Sequence, residues 1–446
     1  MPGTLRPTSV YTKQQRIAEL ARQMPGKAIT SLFQHMDLEW MIEAFRRTRK
    51  DGAVGIDGQT GADYEVNLEA NLQSLLERAK SGDHYKAPPV RRAYIPKDDG
   101  ATRSLGIPTF EDKVLQRAVV MLLEPLYEQD FLDCSYGYRP GRSTHQALEE
   151  VRSKLTCMGG GWILEVDISK FFDTLVHKHL REILVKRMRD GVITRLIGKW
   201  LKAGVMEDGA VTYPEEGSPQ GGVISPMLSN IYLHEVVDVW FERTVKPRLK
   251  GRAFLVRYAD DVVMGFASED DARRVMAVLS ERFGRYGLTL HPSKTRLVEF
   301  RSPRFRKDPP NGDGSGSFYF LGFTLYWAKS LKGNWVVKLK TSKKRFARGL
   351  KRIKEWCRFN RHLSIREQQE MLARKLKGHY GYFGVTGNFR CVARFLDGVC
   401  RIWRNWLSRR SQKARMNWAK FKLLLKRYPL PPATLPRSIY RAAANP

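Results

Sequence analysis

Apolar positions recur at three- and four-residue spacing across 11–24, 39–50 and 62–81, which predicts three amphipathic helices. The glycine-rich stretch 52–61 separates the second from the third. Residues 90–96 predict a strand entering a turn at 97–100, and 111–129 sets Val114, Leu115, Ala118 and Leu122 on one helical face. Ser143 with Gln146 three residues later fits a capping box opening another helix. The run GWILEVD (161–167) is apolar until its last residues, a buried strand ending in an acid. Helices fill 177–204, and GSPQGG (217–222) precedes a long helix to residue 243. Two β-rich runs around a polar centre, AFLVRYADDVVMGFA (253–267), predict a hairpin. A helix spans 269–286, and SFYFLGFTLY (317–326) reads as a strand. Pro, Gly and Ser crowd 302–317, a loop signature. Beyond Lys340 the pattern changes to basic helices, so a domain boundary is expected near 330–340.

Charge sharpens that boundary. The 446 residues, enough for two to four domains, carry 78 Lys and Arg against 46 Asp and Glu, a net +32. Residues 341–446 hold 27 basic and 4 acidic side chains, so +23 sits in that stretch and +9 in the first 340 residues. A basic block that also carries Trp356, Trp403, Trp406 and Trp418 is a candidate polyanion surface: cations release counterions and rings stack on bases. The five cysteines are odd in number and lack CxxC spacing, which argues against a disulfide framework and a structural zinc site. The nine histidines show no metal-ligand spacing. With no signal-peptide core and no run of 18 apolar residues, a soluble cytosolic protein is expected.

Two acidic positions interrupt apolar strands. Asp167 ends one, and Asp260 and Asp261 sit at the centre of the predicted hairpin. Adjacent carboxylates repel, so a strand-flanked pair points to a compensating cation. Magnesium takes oxygen ligands, usually one or two carboxylates plus substrate phosphates. Asp-Asp alone would read as an ordinary turn; Asp167, Gln220 and the basic chain favour the metal.

YADD (258–261), between FLVR and VVMGF, resembles the signature of reverse transcriptases. The order IPKDDGATRSLGIP (95–108), SYGYRPGRSTHQA (135–147), DISKFFD (167–173), GSPQGGVISPMLSNIYL (217–233), LTLHPSKT (288–295) and YFLGF (319–323) resembles group II intron reverse transcriptase–maturases of the bacterial, endonuclease-lacking type. LKGHYGYFG (376–384) and RNWLSRRSQKARMNWAKF (404–421) look like that family's thumb and maturase region, and Tyr138 stands where the family usually has Phe. The resemblance implies an α+β right hand. Residues 1–60 would be an N-terminal extension, 61–335 interleaved fingers and an antiparallel palm sheet, and 336–446 an α-helical basic thumb/maturase domain.

The same resemblance implies roles. Asp167, Asp260 and Asp261 would be catalytic and, with the backbone of Ile168, hold two Mg2+ ions, for which Mn2+ could substitute. Lys97 and Arg103 would grip the triphosphate, or stand as a solvated hairpin-tip pair. Gln220 would lie against the nucleotide, and Lys294 would serve pyrophosphate or be a surface lysine. Phe172, by family spacing, would lie under the incoming sugar; one of Phe171 and Phe172 must be core. Arg139 and Arg142 would touch template backbone, with solvent the alternative for Arg142. Gly322 matches a primer-grip strand, where glycine could equally permit packing. Implied partners are intron RNA, an RNA template, a DNA primer or target, and deoxynucleotides, in a bacterial cytoplasm. The implied function is RNA-directed DNA synthesis plus help in splicing and mobility of a group II intron. A retron, diversity-generating or domesticated repair reverse transcriptase, or a splicing-only RNA-binding maturase, stays open as an alternative.

Overall fold

Side-chain caps open two of the N-terminal helices. Asp37 accepts the Trp40 N–H at 3.0 Å and opens helix Leu38–Arg47. Thr60 and Asp63 form a reciprocal capping box at Gly61–Glu65. The helix expected over 62–81 is two, Gly61–Glu65 and Leu68–Lys80, because the chain leaves helical geometry at Asn67. Ser9–Gln23 and Phe110–Tyr127 lie where periodicity put them, and Thr144–Met158 begins directly after Ser143. Helix Ser225–Leu233 continues as a π-helix, His234–Val245. The computed structural model describes residues 9–82, 84–96, 102–207, 210–213, 217, 221–305, 316–410 and 416–437.

The strands, in chain order, are β1 (Val90–Pro96), β2 (Thr102–Ile107), β3 (Trp162–Val166), β4 (Val205–Glu207), β5 (Ala210–Thr212) and β6 (Ala253–Tyr258). They continue with β7 (Asp261–Phe266), β8 (Arg296–Glu299), β9 (Ser317–Phe320), β10 (Phe323–Lys329) and β11 (Trp335–Thr341). Three sheets result, ordered β2-β1-β4-β5, β11-β10-β9 and β6-β7-β3-β8. β1 and β2 are antiparallel from Arg91↔Ile107 to Pro96↔Thr102, and β3 runs antiparallel to β8 from Trp162↔Glu299 to Glu165↔Arg296. The chain is therefore α+β. β4 and β5 have three residues each, too few for an alternation to show in sequence.

Two compact units emerge, and neither is contiguous. The first is Met1–Ser143, Val166–Val262 and Arg273–Thr295; the second is Thr144–Glu165, Val263–Ala272 and Arg296–Pro446. In the first, the rings of Phe45, Tyr64 and Phe110 pack together, and Trp40 Nε1 donates to Ala118 O at 3.0 Å. In the second, helices Lys343–Phe359, Ile365–Phe383, Phe389–Leu407 and Trp418–Arg427 bury Leu372, Leu376, Phe395, Val399, Trp403 and Phe421. Gln368 serves that core twice. It accepts from Trp403 Nε1 at 2.9 Å and donates to Leu363 O at 3.0 Å, so no buried amide is orphaned. All five cysteines are free. No helix among the described residues is long and apolar enough to cross a membrane.

Candidate functional site

The tip of the β6–β7 hairpin is Ala259–Asp260, and Ala259 has φ 56°, left-handed backbone that costs a non-glycine residue of order 1–3 kcal/mol. A buried network over-determines it. Arg257 Nη1 donates to Ala259 O at 3.1 Å and to Asn230 Oδ1 at 2.9 Å. Its other donors fork onto Asp238 at 2.8 and 2.6 Å, and both partners are fully buried. Burial alone would raise the Asp238 carboxyl; the Arg257 charge and hydrogen bonds hold it below its ordinary value. Asn230 Nδ2 then donates to Gly137 O at 2.6 Å. A Cβ on Gly137 would fall 2.3 Å from Ala259 N, so only glycine admits this approach.

Asp167 is set from the other side by LTLHPSKT. Its carbonyl accepts from His291 N at 2.8 Å and Thr295 Oγ1 at 3.3 Å. The next two residues continue the clamp: Ile168 bridges Leu290, and Ser169 N donates to Thr289 O at 2.8 Å. Lys294 Nζ lies 3.7 Å from Asp167 Oδ2. Asp260 is held above the ordinary carboxylate range, first by desolvation and also by the Asp167 charge, while Arg103 and Arg257 oppose the rise. The charges of Asp167 and Arg103 thus both reach the Asp260 carboxyl through space. Tyr138, 57% exposed, belongs to the same place: partial desolvation raises its phenol, and Asp260 and Asp261 add to the shift.

Phe171 is core, 3% exposed and packed on Tyr232, while Phe172 is half-buried beside it. Lys97 and Gln220 lie outside the described residues. Both flanks of the Gln220 segment are pinned, by Gly217 N to Leu175 O at 2.9 Å and by Ile224 N to Gln116 Oε1 at 3.2 Å. Arg142 pairs with exposed Asp133 at 2.5 Å, a partner a phosphate could displace.

Three expectations need correction. Arg139 does not reach for template: its fork is spent on Glu128 at 2.9–3.2 Å and on the carbonyls of Leu132 and Ser135 at 2.8 Å, in the interior. Gly322 is not within a strand. With Leu321 (φ 47°) and φ 83° it makes the two-residue turn between β9 and β10, a pair of left-handed positions suited to hairpin twist. Of the four tryptophans, Trp403 and Trp406 are buried and only Trp418 is substantially exposed, at 45%. Sequence reasoning also passed over Arg257, Asp238 and Asn230. A charge inside the apolar run FLVRY was the available signal for the first.

Among the described residues, no three His, Cys, Asp or Glu side chains are disposed to hold a metal unaided. The oxygen donors of Asp167, Asp260 and Asp261 nevertheless suit a hard divalent cation, which draws further ligands from substrate phosphates and water. A desolvated Asp260 beside Asp167, faced by Arg103 in so basic a chain, describes an enzyme that works on nucleic acid. The family model "Reverse transcriptase (RNA-dependent DNA polymerase)" matches residues 95–325. Protein YkfC of Escherichia coli K12 is 35% identical over 361 residues, 73% of this chain and 90% of that protein. Group II intron-encoded protein LtrA of Lactococcus lactis subsp. cremoris is 41% identical over 226 residues, 50% of this chain and 37% of LtrA. Nuclear intron maturase 2 of Arabidopsis thaliana is 29% identical over 177 residues, 31% of this chain and 24% of its own. The chain belongs to the reverse transcriptase family, on the branch of group II intron-encoded proteins. Reverse transcriptases use divalent metal ions, and nucleic acid is their partner.

Proposed function

We propose that this reverse transcriptase extends a DNA primer on an RNA template at Asp167, Asp260 and Asp261, and that it serves a group II intron. In that second role it binds intron RNA to assist splicing and carries it into a DNA target. The observation that carries the first part is the desolvation of Asp260 beside the Asp167 charge, with the Arg103 cation acting on the same carboxyl. A desolvated carboxylate beside a second one is stabilised by a compensating cation. The three aspartates, with the Ile168 backbone, would hold two Mg2+ or Mn2+ ions, which activate the primer 3′-hydroxyl and neutralise leaving pyrophosphate. Arg103, with Lys97, grips the triphosphate, and Lys294 exchanges Asp167 for a phosphate oxygen. Gln220 and Phe172 flank the nucleotide, and Arg142 touches template backbone. The architecture follows as a right hand: an N-terminal extension (1–60), interleaved fingers and palm (61–335) and a basic thumb (336–446). The bacterial relatives favour a bacterial cytoplasmic setting.

The test is primer extension on poly(rA)/oligo(dT) with Asp260→Asn and Asp261→Asn, RNA binding being measured in parallel. Each variant loses extension while RNA binding holds within about twofold, because only a metal-binding charge is removed. Retention of about a tenth of the wild-type rate by either would end the metal assignment.

A further inference from the structure

We infer that the first unit carries a second polyanion site, sharing no residue with the carboxylates, which takes the phosphodiester backbone of a nucleic-acid strand and stacks a base on Tyr213. The site is a cavity of about 560 Å³ whose lining includes Lys86, Arg181, Arg195, Lys199, Lys202 and Tyr213 and, among the described residues, no Asp or Glu. Lys199 is part of the wall, since its ammonium donates to Tyr85 O at 2.5 Å and to Gly82 O. The other four cations are exposed, and the charged end of each makes no hydrogen bond or ion pair among the described residues.

Paired cations on solvated helices elsewhere give the contrast. Arg47, Lys154, Lys246 and Arg285 each pair with a glutamate one helical turn away, as solvated helix faces commonly do. Unpaired like charges around one concavity repel each other and focus a positive potential into it, which favours an anionic occupant. A single phosphate would fill little of the space, whose volume is that of a ligand-sized pocket. Successive phosphates of a strand match both the volume and the number of free cations. Tyr213 is 71% exposed, so its ring has surface available on which a base could stack.

The inference rests on the protein handling nucleic acid and is independent of where its chemistry occurs. The test compares the full-length triple variant Arg181→Ala/Arg195→Ala/Lys202→Ala with a control, Lys27→Ala/Lys250→Ala/Arg252→Ala, that loses equal charge from exposed positions. Binding of a long transcribed RNA, and of single-stranded DNA of the same sequence, is followed across salt concentrations. The pocket variant lowers the slope of log K against log salt by about two to three units and weakens binding at least about tenfold, with RNA, DNA or both. The control shifts the slope by less than about one unit. Tyr213→Ala weakens binding with the slope unchanged, since stacking displaces no counterion. Extension on a short poly(rA)/oligo(dT) duplex stays at wild-type rate in every variant. A pocket-variant slope equal to the control's would overturn the inference. So would loss of extension in a folded pocket variant, or loss of binding to phosphatidylserine vesicles with nucleic-acid binding intact.

Discussion

Arg257 and Asp238 form a fully buried ion pair, and such pairs are expensive to break on one side. Asp238→Ala leaves Arg257 uncompensated in the interior and costs about 3–5 kcal/mol, read as a lowered urea midpoint. The same change releases the left-handed tip at Ala259, so surviving folded protein extends primers more slowly while RNA affinity is retained. If stability fell but the folded fraction extended at full rate, the network would be structural alone. Phe172 offers a second residue-scale test. A flat ring against C2′ leaves a 2′-hydroxyl neither room nor a hydrogen-bond partner, so a ribonucleotide is displaced from in-line attack. Phe172→Ala raises rGTP over dGTP incorporation at least about tenfold in single-turnover assays, since about 1 Å of misplacement can cost around 10²-fold. Phe171→Ala instead lowers stability by about 3–5 kcal/mol, as loss of a core ring does. A larger sugar effect at Phe171 would exchange the two roles.

At the scale of elements, helix Ile365–Phe383 carries its own pH dependence. His379 stacks on Phe395 with ring centroids 3.7 Å apart, and its Nε2 is buried without a partner. Burial lowers its pKa to about 4. The folded imidazole therefore stays neutral while the unfolded one titrates at its ordinary value of 6.5. A depressed histidine makes its contribution above the unfolded pKa and loses it as pH falls toward the folded one. Linkage puts the loss at pH 5 at up to about 2 kcal/mol. Asp112 acts with the opposite sign: burial raises its carboxyl to about 6, so it destabilises as pH rises from 3.8 toward that value. Urea melts of wild type and His379→Phe at pH 7 and pH 5 separate the two, because the Asp112 contribution cancels between variants. The wild type loses more stability than the variant between those pH values; equal losses would mean that the ring opens to solvent. The β9–β10 hairpin shows why an element can be misjudged from its pattern. Around the turn, SFYFLGFTLY is apolar on both sides, so the reversal at Leu321–Gly322 leaves only a single glycine as its trace.

For the whole molecule, charge asymmetry is the dominant property, with +23 in the last 106 residues. Lys343, Lys344 and Arg352 project from helix Lys343–Phe359 into solvent. Replacing all three by Ala lowers the salt slope of RNA binding by up to about three units in filter binding. An unchanged slope would mean that this helix does not face RNA. Trp418→Ala weakens binding without unfolding, whereas Trp403→Ala removes a ring from the core and unfolds the helices. The amino-acid sequence by itself determined the acidic site, the order of blocks around it and the basic C-terminal helices. Each rests on a local signal: an acid interrupting an apolar run, a cap before a periodic face, a count of charges. It also separated Phe171 from Phe172 only as a pair of which one must be core. Tertiary structure decided which one is. It also decided that Arg139 spends its fork on Glu128, that Trp403 is core and that Arg257 finds Asp238 nineteen residues earlier in the chain. The reason is physical: a donor's fate depends on which acceptor the fold brings within about 3 Å, and residue type alone does not set that distance.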